Sequence, residues 1–203
     1  MNITLSPIDD SPESVAEFFA LTDRNRAYLR TWLPWLDFVK TPSDTQNFLH
    51  NALKTDHDQQ SLNFFIKDND TIIGTIGLRG IGDDNDPHLA LNLDKEGVRS
   101  ALVGYWLSQD YAGQGITSWA LGQLITLLTS DYAELGVQAV ILRCNPDNIA
   151  SNKVAQKNNF IYSHTLPDAQ KLYGRWEDLN VYYGNIHALK GISLEVEKGE
   201  VVS

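Results

Sequence analysis

Residues 100–128 have the sequence SALVGYWLSQDYAGQGITSWALGQLITLL, and this stretch determines the fold. Its first eight residues, 100–107, are mostly apolar and predict a buried strand. A loop with two glycines, Gly113 and Gly115, comes next. The apolar side chains after the loop recur at helical spacing, and they are Leu121, Leu124, Ile125, Leu128 and Tyr132. We therefore expect a strand, a glycine loop and a helix in succession, with the helix ending at Gly136.

The segments on both sides of this unit predict an α/β chain. One helix is expected to begin after Ser11, which is followed by a proline, and another is expected to begin at Thr41-Pro42 or at Ser43. Residues 24–40 are aromatic and basic and are interrupted by Pro34, so we expect a short helix and a loop there. A further helix is expected over residues 148–158. The predicted strands outside residues 100–107 cover residues 2–6, 62–67, 71–81, 88–93, 137–144, 160–165 and 179–183.

Composition limits the class of protein. The 203 residues are 42% hydrophobic and 21% charged, as expected for one globular domain. The net charge of -10 repels phosphate backbones and anionic lipids, so neither nucleic acid nor a membrane is an expected partner. The single cysteine, Cys144, excludes an internal disulfide, and the histidines lack metal-ligand spacing, so no metal is expected. The N-terminus has no secretion signal, and we expect a cytoplasmic protein.

The loop of residues 110–117 has the features of a phosphate-binding loop. It precedes a helix, where free backbone N–H groups and the helix dipole favour an anion. Gly113 and Gly115 lack a Cβ, so a phosphate can approach the main chain closely. Glycines are also common in ordinary turns, and neither a Walker lysine nor a three-glycine dinucleotide motif is complete here. The loop alone therefore leaves both interpretations open.

Four segments in matching order resemble the GCN5-related N-acetyltransferases (GNAT), a family that uses acetyl-CoA. They are the strand GYWL, the loop YAGQGI, the strand VILRC, and the helix that begins Asn148-Ile149-Ala150-Ser151 and ends before Phe160. The segment WLPWLDFVK (residues 32–40), together with GYWL, is similar to the Rim-type ribosomal-protein N-terminal acetyltransferases. The resemblance implies a single α/β domain over residues 1–184, with a mixed central sheet, a splayed strand pair and flanking helices.

Three positions depart from the pattern of that family. Asp110 stands where the loop usually has Arg or Gln, which removes a cation from the phosphate site. Asn159 stands where a glycine usually precedes Phe160, and asparagine tolerates the left-handed backbone that such a position needs. Ala155 stands where many relatives have a tyrosine that protonates the departing thiolate, so a different proton donor, or water, is implied.

The resemblance also implies a chemistry and a set of cofactor-binding residues. The acetyl group passes directly from acetyl-CoA to a primary amine, and the CoA thiolate leaves. Strand separation is expected at residues 106–108, with a bulge at Gly104. Ser151 either protonates or orients the thiolate, or only caps its helix. The residues implied to bind acetyl-CoA are Trp106, Leu107, Ala112, Gly113, Gln114, Gly115, Ile116, Thr117, Asn148 and Ser151.

Trp32, Trp35 and Tyr105 are the candidate acceptor-binding residues. For the two tryptophans, a purely hydrophobic plug is an equally good interpretation. The GYWL strand carries no carboxylate, and Asp94 and Glu96 are expected to be solvated charges in a turn, so no dedicated base is evident. Cys144 is expected to be a buried structural thiol.

Several acceptors remain possible at this point. An α-amino group is neutral far more often at pH 7 than a lysine side chain, so a protein N-terminus suits an enzyme with weak base assistance. A polyamine or aminoglycoside would suit the acidic surface, and a CoA-binding module without catalysis would suit the departures at Asp110 and Ala155. A homodimer is compatible with the sequence.

The last residues have a separate resemblance. Residues 179–203, LNVYYGNIHALKGISLEVEKGEVVS, resemble the opening strands of an ABC-transporter ATPase of the branched-chain amino-acid type. The chain ends before a Walker A loop, so no nucleotide chemistry is implied. We therefore treat residues 185–203 as an extra tail of fusion-like character.

Overall fold

The computed structural model describes residues 1–83 and 98–186. The predicted strand at residues 88–93, Asp94, Glu96 and the tail from residue 187 onward lie outside these described residues. The described helices are α1 (Pro12–Arg24), α2 (Arg26–Leu29), α3 (Pro42–His57), α4 (Ile116–Leu127) and α5 (Ile149–Lys157). The described strands are β1 (Ile3–Pro7), β2 (Ser61–Asp68), β3 (Thr71–Arg79), β4 (Ser100–Leu107), β5 (Ala139–Cys144), β6 (Ile161–Leu172) and β7 (Arg175–Asn185).

These strands form one sheet in the order β1-β2-β3-β4-β5-β7-β6. Strands β4 and β5 are parallel, and every other neighbouring pair is antiparallel. The parallel pair is connected through α4, as a crossover between parallel strands requires. The predicted mixed sheet with flanking helices is confirmed.

Side-chain alternation along β4 divides the core into two layers. Ala101 and Val103 pack with the apolar face of α4 and with α5. Trp106, on the other face, packs with α1 and α3 in a second cluster, because residues two apart on a strand lie on the same face. The sheet therefore separates the α4–α5 layer from the α1–α3 layer, and β4 contributes side chains to both.

The predicted helix starts are confirmed. The Ser11 hydroxyl accepts a hydrogen bond from the Ser14 N–H at 3.2 Å. Thr41 and Asp44 form a reciprocal capping box at the start of α3. Asn148 caps α5 by accepting from the Ser151 N–H at 3.1 Å. Each cap is worth about 1 kcal/mol, so these residues fix where the helices begin.

Two local predictions are wrong. Helix α4 ends at Leu127, well before Gly136, and a 3-10 turn (Ala133–Leu135) fills part of the interval. The hydroxyl of Ser130 donates to the carbonyl of Thr126, which offers the backbone an alternative to further helix. The bulge expected at Gly104 is also absent, because β4 pairs with β3 in regular register across the Gly77–Gly104 pair.

The C-terminal end of the described chain belongs to the sheet. Asn185 pairs with Ala139 across β5 and β7. Ile186 is only 2% exposed, and its N–H donates to the Gln138 carbonyl at 2.9 Å. The packed part of the domain thus reaches two residues past residue 184. Within residues 1–83 and 98–186, no helix is long and apolar enough to cross a bilayer, and no group of three or more potential metal ligands occurs.

Candidate active site

The site begins where the parallel strands part. Residues 100–103 of β4 pair with residues 139–142 of β5, and the pairing goes no further. Beyond this point β4 continues beside β3, so its other edge faces a cleft of about 1150 Å³. Gly104 lies at the start of the opening, and a Cβ placed there would meet no atom within 4 Å. The separation starts two residues earlier than the predicted residues 106–108, and Trp106 and Leu107 line it.

The glycine loop borders one end of this cleft. Gly113 and Gly115 both have φ near +77°, and a Cβ at either position would meet nothing within 4 Å. Gly115 is the N-cap of α4, and no side chain caps that helix. The first N–H groups of α4 are therefore available to an anion beside open space, which fits the pyrophosphate of acetyl-CoA.

A buried asparagine holds the start of this loop. The Asn25 side-chain oxygen accepts from the Gln109 N–H at 2.9 Å and from the Ser108 hydroxyl at 3.2 Å. Its amide group donates back to the Leu21 carbonyl at the end of α1. The start of the loop is thereby fastened to the C-terminal end of α1. No sequence motif marks Asn25, and its role comes only from the tertiary structure.

Basic side chains line the cleft. Lys153 and Lys157, four residues apart on α5, lie along one side, and Arg79 and Arg143 lie on strands β3 and β5. Among the described cleft-lining residues there is no Asp, Glu or His. The spacing of Lys153 and Lys157 is visible in the sequence and could have identified them.

Ser151 contacts a tyrosine from the facing strand. Its hydroxyl lies 2.7 Å from the Tyr105 hydroxyl. Burial raises the pKa of Tyr105 far above its ordinary value, so this phenol keeps its proton. Cys144 is the third member of the group, and burial raises the pKa of its thiol, an effect partly opposed by a hydrogen bond with Ser151. Because Asn148 caps α5, the Ser151 side chain does not serve as the helix cap.

A second asparagine fixes the segment that carries Ser151. The Asn152 amide group donates to three backbone carbonyls between β5 and α5. Its oxygen accepts from Asn180 at 2.9 Å and from the Tyr182 hydroxyl at 2.7 Å. Strand β7 thus holds the start of α5 in place. Sequence reasoning missed this contact because Asn180 and Tyr182 lie about thirty residues after Asn152 in the chain.

Aromatic side chains from residues 28–48 form a wall of the cleft. We call them the aromatic wall, and they are Tyr28, Trp32, Trp35, Phe38 and Phe48. The rings of Trp35 and Phe48 are parallel within 3° at a centroid distance of 6.4 Å. The Arg26 guanidinium donates to the Leu36 and Val39 carbonyls and so holds the segment in place.

The structure brings most of the predicted site residues to one cleft. Gln114 is the exception, since its side chain folds back and donates to the Asp110 carbonyl at 3.1 Å. Trp35 packs against the α1–α3 layer, whereas Tyr105 packs in the other layer and contacts Ser151 of α5. Tyr105 is thus placed beside Ser151, and the predicted acceptor-binding trio is divided between the two faces of the sheet.

A parted parallel strand pair with a glycine loop and helix beside it defines an acetyltransferase fold. The chain belongs to the GNAT family, because the family profile described as "Acetyltransferase (GNAT) domain" matches residues 2–161. It is 30% identical over 169 residues to the ribosomal-protein-serine acetyltransferase of Escherichia coli (strain K12), covering 83% of this chain and 85% of that protein.

Solved structures agree with this assignment. The structure superposes on RimL, a ribosomal L7/L12 alpha-N-protein acetyltransferase in complex with coenzyme A, with a TM-score of 0.78 at 24% identity, covering 93% of this chain and 96% of that one. It superposes on the microcin C7 self-immunity acetyltransferase MccE, in complex with acetyl-CoA and AMP, with a TM-score of 0.76 at 25% identity, covering 91% and 92%. The protein is therefore an acetyl-CoA-dependent N-acetyltransferase, as predicted. The ABC-ATPase resemblance of residues 179–203 stays a prediction.

Proposed function

We propose that the protein transfers acetyl from acetyl-CoA to a free α-amino group, in the first place that of a protein N-terminus of the ribosomal type. The observation that carries this proposal is the charge of the cleft, whose described lining has four cations and neither carboxylate nor imidazole. Without such a base, the amine must arrive neutral. At pH 7 an α-amine, with a pKa of about 7.7 to 8.0, is neutral several hundred times more often than a lysine at about 10.4.

The cofactor-binding residues act through backbone and cleft contacts. Residues 112–117 would hold the pyrophosphate, and Lys153 and Lys157 would supply the cationic charge that Asp110 does not. The free edge of β4 at Trp106 and Leu107 would receive the pantetheine arm. Asn148 acts indirectly, by capping the helix that carries Ser151. Acetyl-CoA supplies the activated acyl group.

Ser151 is the proposed catalytic residue, and Tyr105 positions it. Overall, the amine loses a proton and the departing thiolate gains one, so no net base is consumed. The Ser151 hydroxyl can give its proton to the sulfur and regain the proton that the amine nitrogen loses, while Tyr105 donates a hydrogen bond to the serine oxygen. Because the pKa of Tyr105 is raised, the phenol stays a hydrogen-bond donor and is not itself the proton source.

The cleft argues against two alternatives. A polyamine or aminoglycoside carries several positive charges, and the described cleft offers cations to meet them. A CoA-binding module without catalysis would not need a hydrogen-bonded hydroxyl pair at the strand opening. The relatives support the main proposal, since the Escherichia coli enzyme is a ribosomal-protein-serine acetyltransferase and RimL is an alpha-N-protein acetyltransferase.

A thiol-release assay with acetyl-CoA and matched peptides tests this function. We expect faster turnover with peptides that have a free N-terminal Ser or Ala than with N-blocked lysine peptides or spermidine. Mass spectrometry should place the acetyl group on the α-nitrogen. Products acetylated only on side chains or polyamines would refute the proposal. A cytoplasmic location and a homodimer are predictions from sequence, and we retain both as part of the proposal.

A further inference from the structure

A row of three residues crosses the floor of the cleft beside the strand opening. Gly77 of β3 pairs with Gly104 of β4 on one side and with Asn63 of β2 on the other, so the three lie on one face of the sheet. Trp106, two residues after Gly104, packs in the α1–α3 layer, so the row belongs to that face. All four residues line the cleft. An acceptor chain on this face can therefore approach the sheet closely at the two glycines.

Asn63 closes the far end of this row and is held in one orientation. Its side-chain amide group donates to the Asp56 carboxylate at 2.7 Å and to the Ser61 hydroxyl at 3.1 Å. Its main-chain N–H donates to the same carboxylate at 3.1 Å. The side-chain oxygen lies over Gly77, where a Cβ would collide with it, and no described residue donates to it. This oxygen can therefore accept a hydrogen bond from a main-chain N–H of a bound peptide.

Arg79 is the charged residue next to this row. It follows Gly77 by two residues on β3, so its side chain projects from the same face, and it is exposed and lines the cleft. The distance along the strand is about 7 Å, which a long arginine side chain can span. Lys153 and Lys157 lie on α5, which packs on the opposite face. Arg79 thus faces the acceptor side, whereas the two lysines lie in the layer of the glycine loop.

Strand geometry sets which part of an acceptor meets Arg79. Neighbouring strands are about 4.8 Å apart, so the row from Gly104 to Asn63 is about 10 Å long. An extended chain rises about 3.3 Å per residue, so the row spans about three residues of an acceptor. The reacting amine belongs at the strand opening beside Gly104. With the amine there, the second and third residues of the acceptor lie over Gly77, next to Arg79.

We infer that Arg79 selects the acceptor, and that the preferred acceptor is a protein N-terminus with Asp or Glu as its second or third residue. This inference rests on the proposed α-amine transfer and narrows its substrate class. The acceptor carboxylate pairs with the Arg79 guanidinium, while Asn63 accepts from the acceptor main chain. The described lining of the cleft holds no carboxylate that would compete for Arg79. Salt screens exposed charges beyond about 8 Å, so the nearby cation outweighs distant acidic surface.

The strength of an exposed ion pair gives the size of the expected preference. Such a pair changes affinity by up to about fivefold. A peptide with Asp-Glu at its second and third positions should therefore have a kcat/KM about threefold to fivefold higher than the isosteric Asn-Gln peptide. A Lys-Lys peptide should fall below both, because like charges repel. The difference should appear in KM, since the ion pair is the same in the ground state and the transition state, and it should shrink at about 0.5 M salt.

The test measures thiol release with these three peptides, which share an N-terminal serine. Arg79→Gln should make the Asp-Glu and Asn-Gln peptides equal, and Arg79→Glu should place the Lys-Lys peptide first. Arg175→Gln is the matched control, because the Arg175 side chain is 85% exposed on β7 and lies outside the cleft, and it should keep the wild-type order. Arg79 is exposed, so its variants should fold normally. KM for acetyl-CoA should stay the same in all variants.

The outcomes separate this inference from the proposed function. If the wild-type enzyme acetylates the α-amine of all three peptides with equal kcat/KM, the inference is wrong and the proposed function stands. If Arg79→Gln lowers kcat/KM for all three peptides by the same factor, or raises only KM for acetyl-CoA, Arg79 does not select the acceptor and the inference is again overturned. If no α-amine is acetylated, the proposed function itself fails.

Discussion

Replacing Ser151 and Tyr105, singly and together, tests the proposed proton transfer most directly. General acid catalysis contributes about 10² to 10⁴ in rate, so Ser151→Ala should lower kcat by about 100-fold or more. KM for acetyl-CoA should change little, because the proton is needed only as the thiolate forms. Ser151→Cys keeps a group that can donate a proton and should recover part of the loss.

The hydrogen bond of 2.7 Å between the two hydroxyls sets the expected effect of Tyr105→Phe. This hydrogen bond is part-buried, and losing one of its partners costs about 1 kcal/mol, which corresponds to roughly fivefold in kcat. If Tyr105 acts only through Ser151, adding Tyr105→Phe to Ser151→Ala should cause almost no further loss. The coupling energy of the double-mutant cycle then equals nearly the whole effect of Tyr105→Phe.

Thiol release, measured over a range of acetyl-CoA concentrations, separates kcat from KM for all variants. Tyr162→Phe is the matched control, because the Tyr162 hydroxyl lies 2.8 Å from the Thr165 hydroxyl on exposed strand β6. This control removes the same kind of hydrogen bond and should leave kcat unchanged. Wild-type kcat in Ser151→Ala would refute the assigned role, and additive losses would show that Tyr105 acts independently of Ser151.

Three further predictions address the loop, the C-terminus and the pH dependence. Gly115→Val should weaken acetyl-CoA binding in calorimetry, because valine disfavours φ near +77° and its side chain projects into the open loop. Gly174→Val is the control, since Gly174 has φ of +87° in the β6–β7 turn, and this variant should bind acetyl-CoA normally. Truncation after Ile186 should preserve kcat and Tm. Truncation two residues earlier should lower Tm, since it removes a buried isoleucine whose burial is worth about 1.5 to 3 kcal/mol. If the protein truncated after Ile186 fails to fold, the tail packs on the domain or on a partner chain. Burial raises the pKa of Tyr105, so the folded protein keeps this phenol protonated at a pH where the unfolded chain loses the proton. The free energy of unfolding should therefore be unaffected by this group below about pH 10 and should fall as the pH rises above it. Tyr105→Phe should flatten that fall, which urea unfolding measures.

The regular elements of this fold were predictable because their signals are local. The capping residues Ser11, Thr41 and Asn148 mark helix starts within a few residues of sequence. The end of α4 was not predictable in the same way. Its apolar face continues through Leu128, while the hydroxyls of Thr129 and Ser130 in the following turn bond to the Thr126 carbonyl, and periodicity does not report that competition.

The site was only partly predictable for a different reason. The glycine loop and Ser151 belong to short motifs, whereas Asn25 and Asn152 act through partners more than twenty residues away. Tyr105 lay within a recognised strand, but its role depends on which face of the sheet it occupies. One residue of strand register decides whether that hydroxyl meets Ser151 or the aromatic wall.

The departures from the family pattern do not by themselves argue for an inactive protein. Ala155 is fully buried in the α4–α5 layer, so no hydroxyl can come from that position, but Tyr105 brings one to Ser151 from β4. Asn159 has φ of +56°, the left-handed conformation that was expected of it. Lys153 and Lys157 line the cleft and are the cations that we propose in place of the one absent at Asp110. The Ser151 and Tyr105 variants test the pair for which we propose a role in turnover.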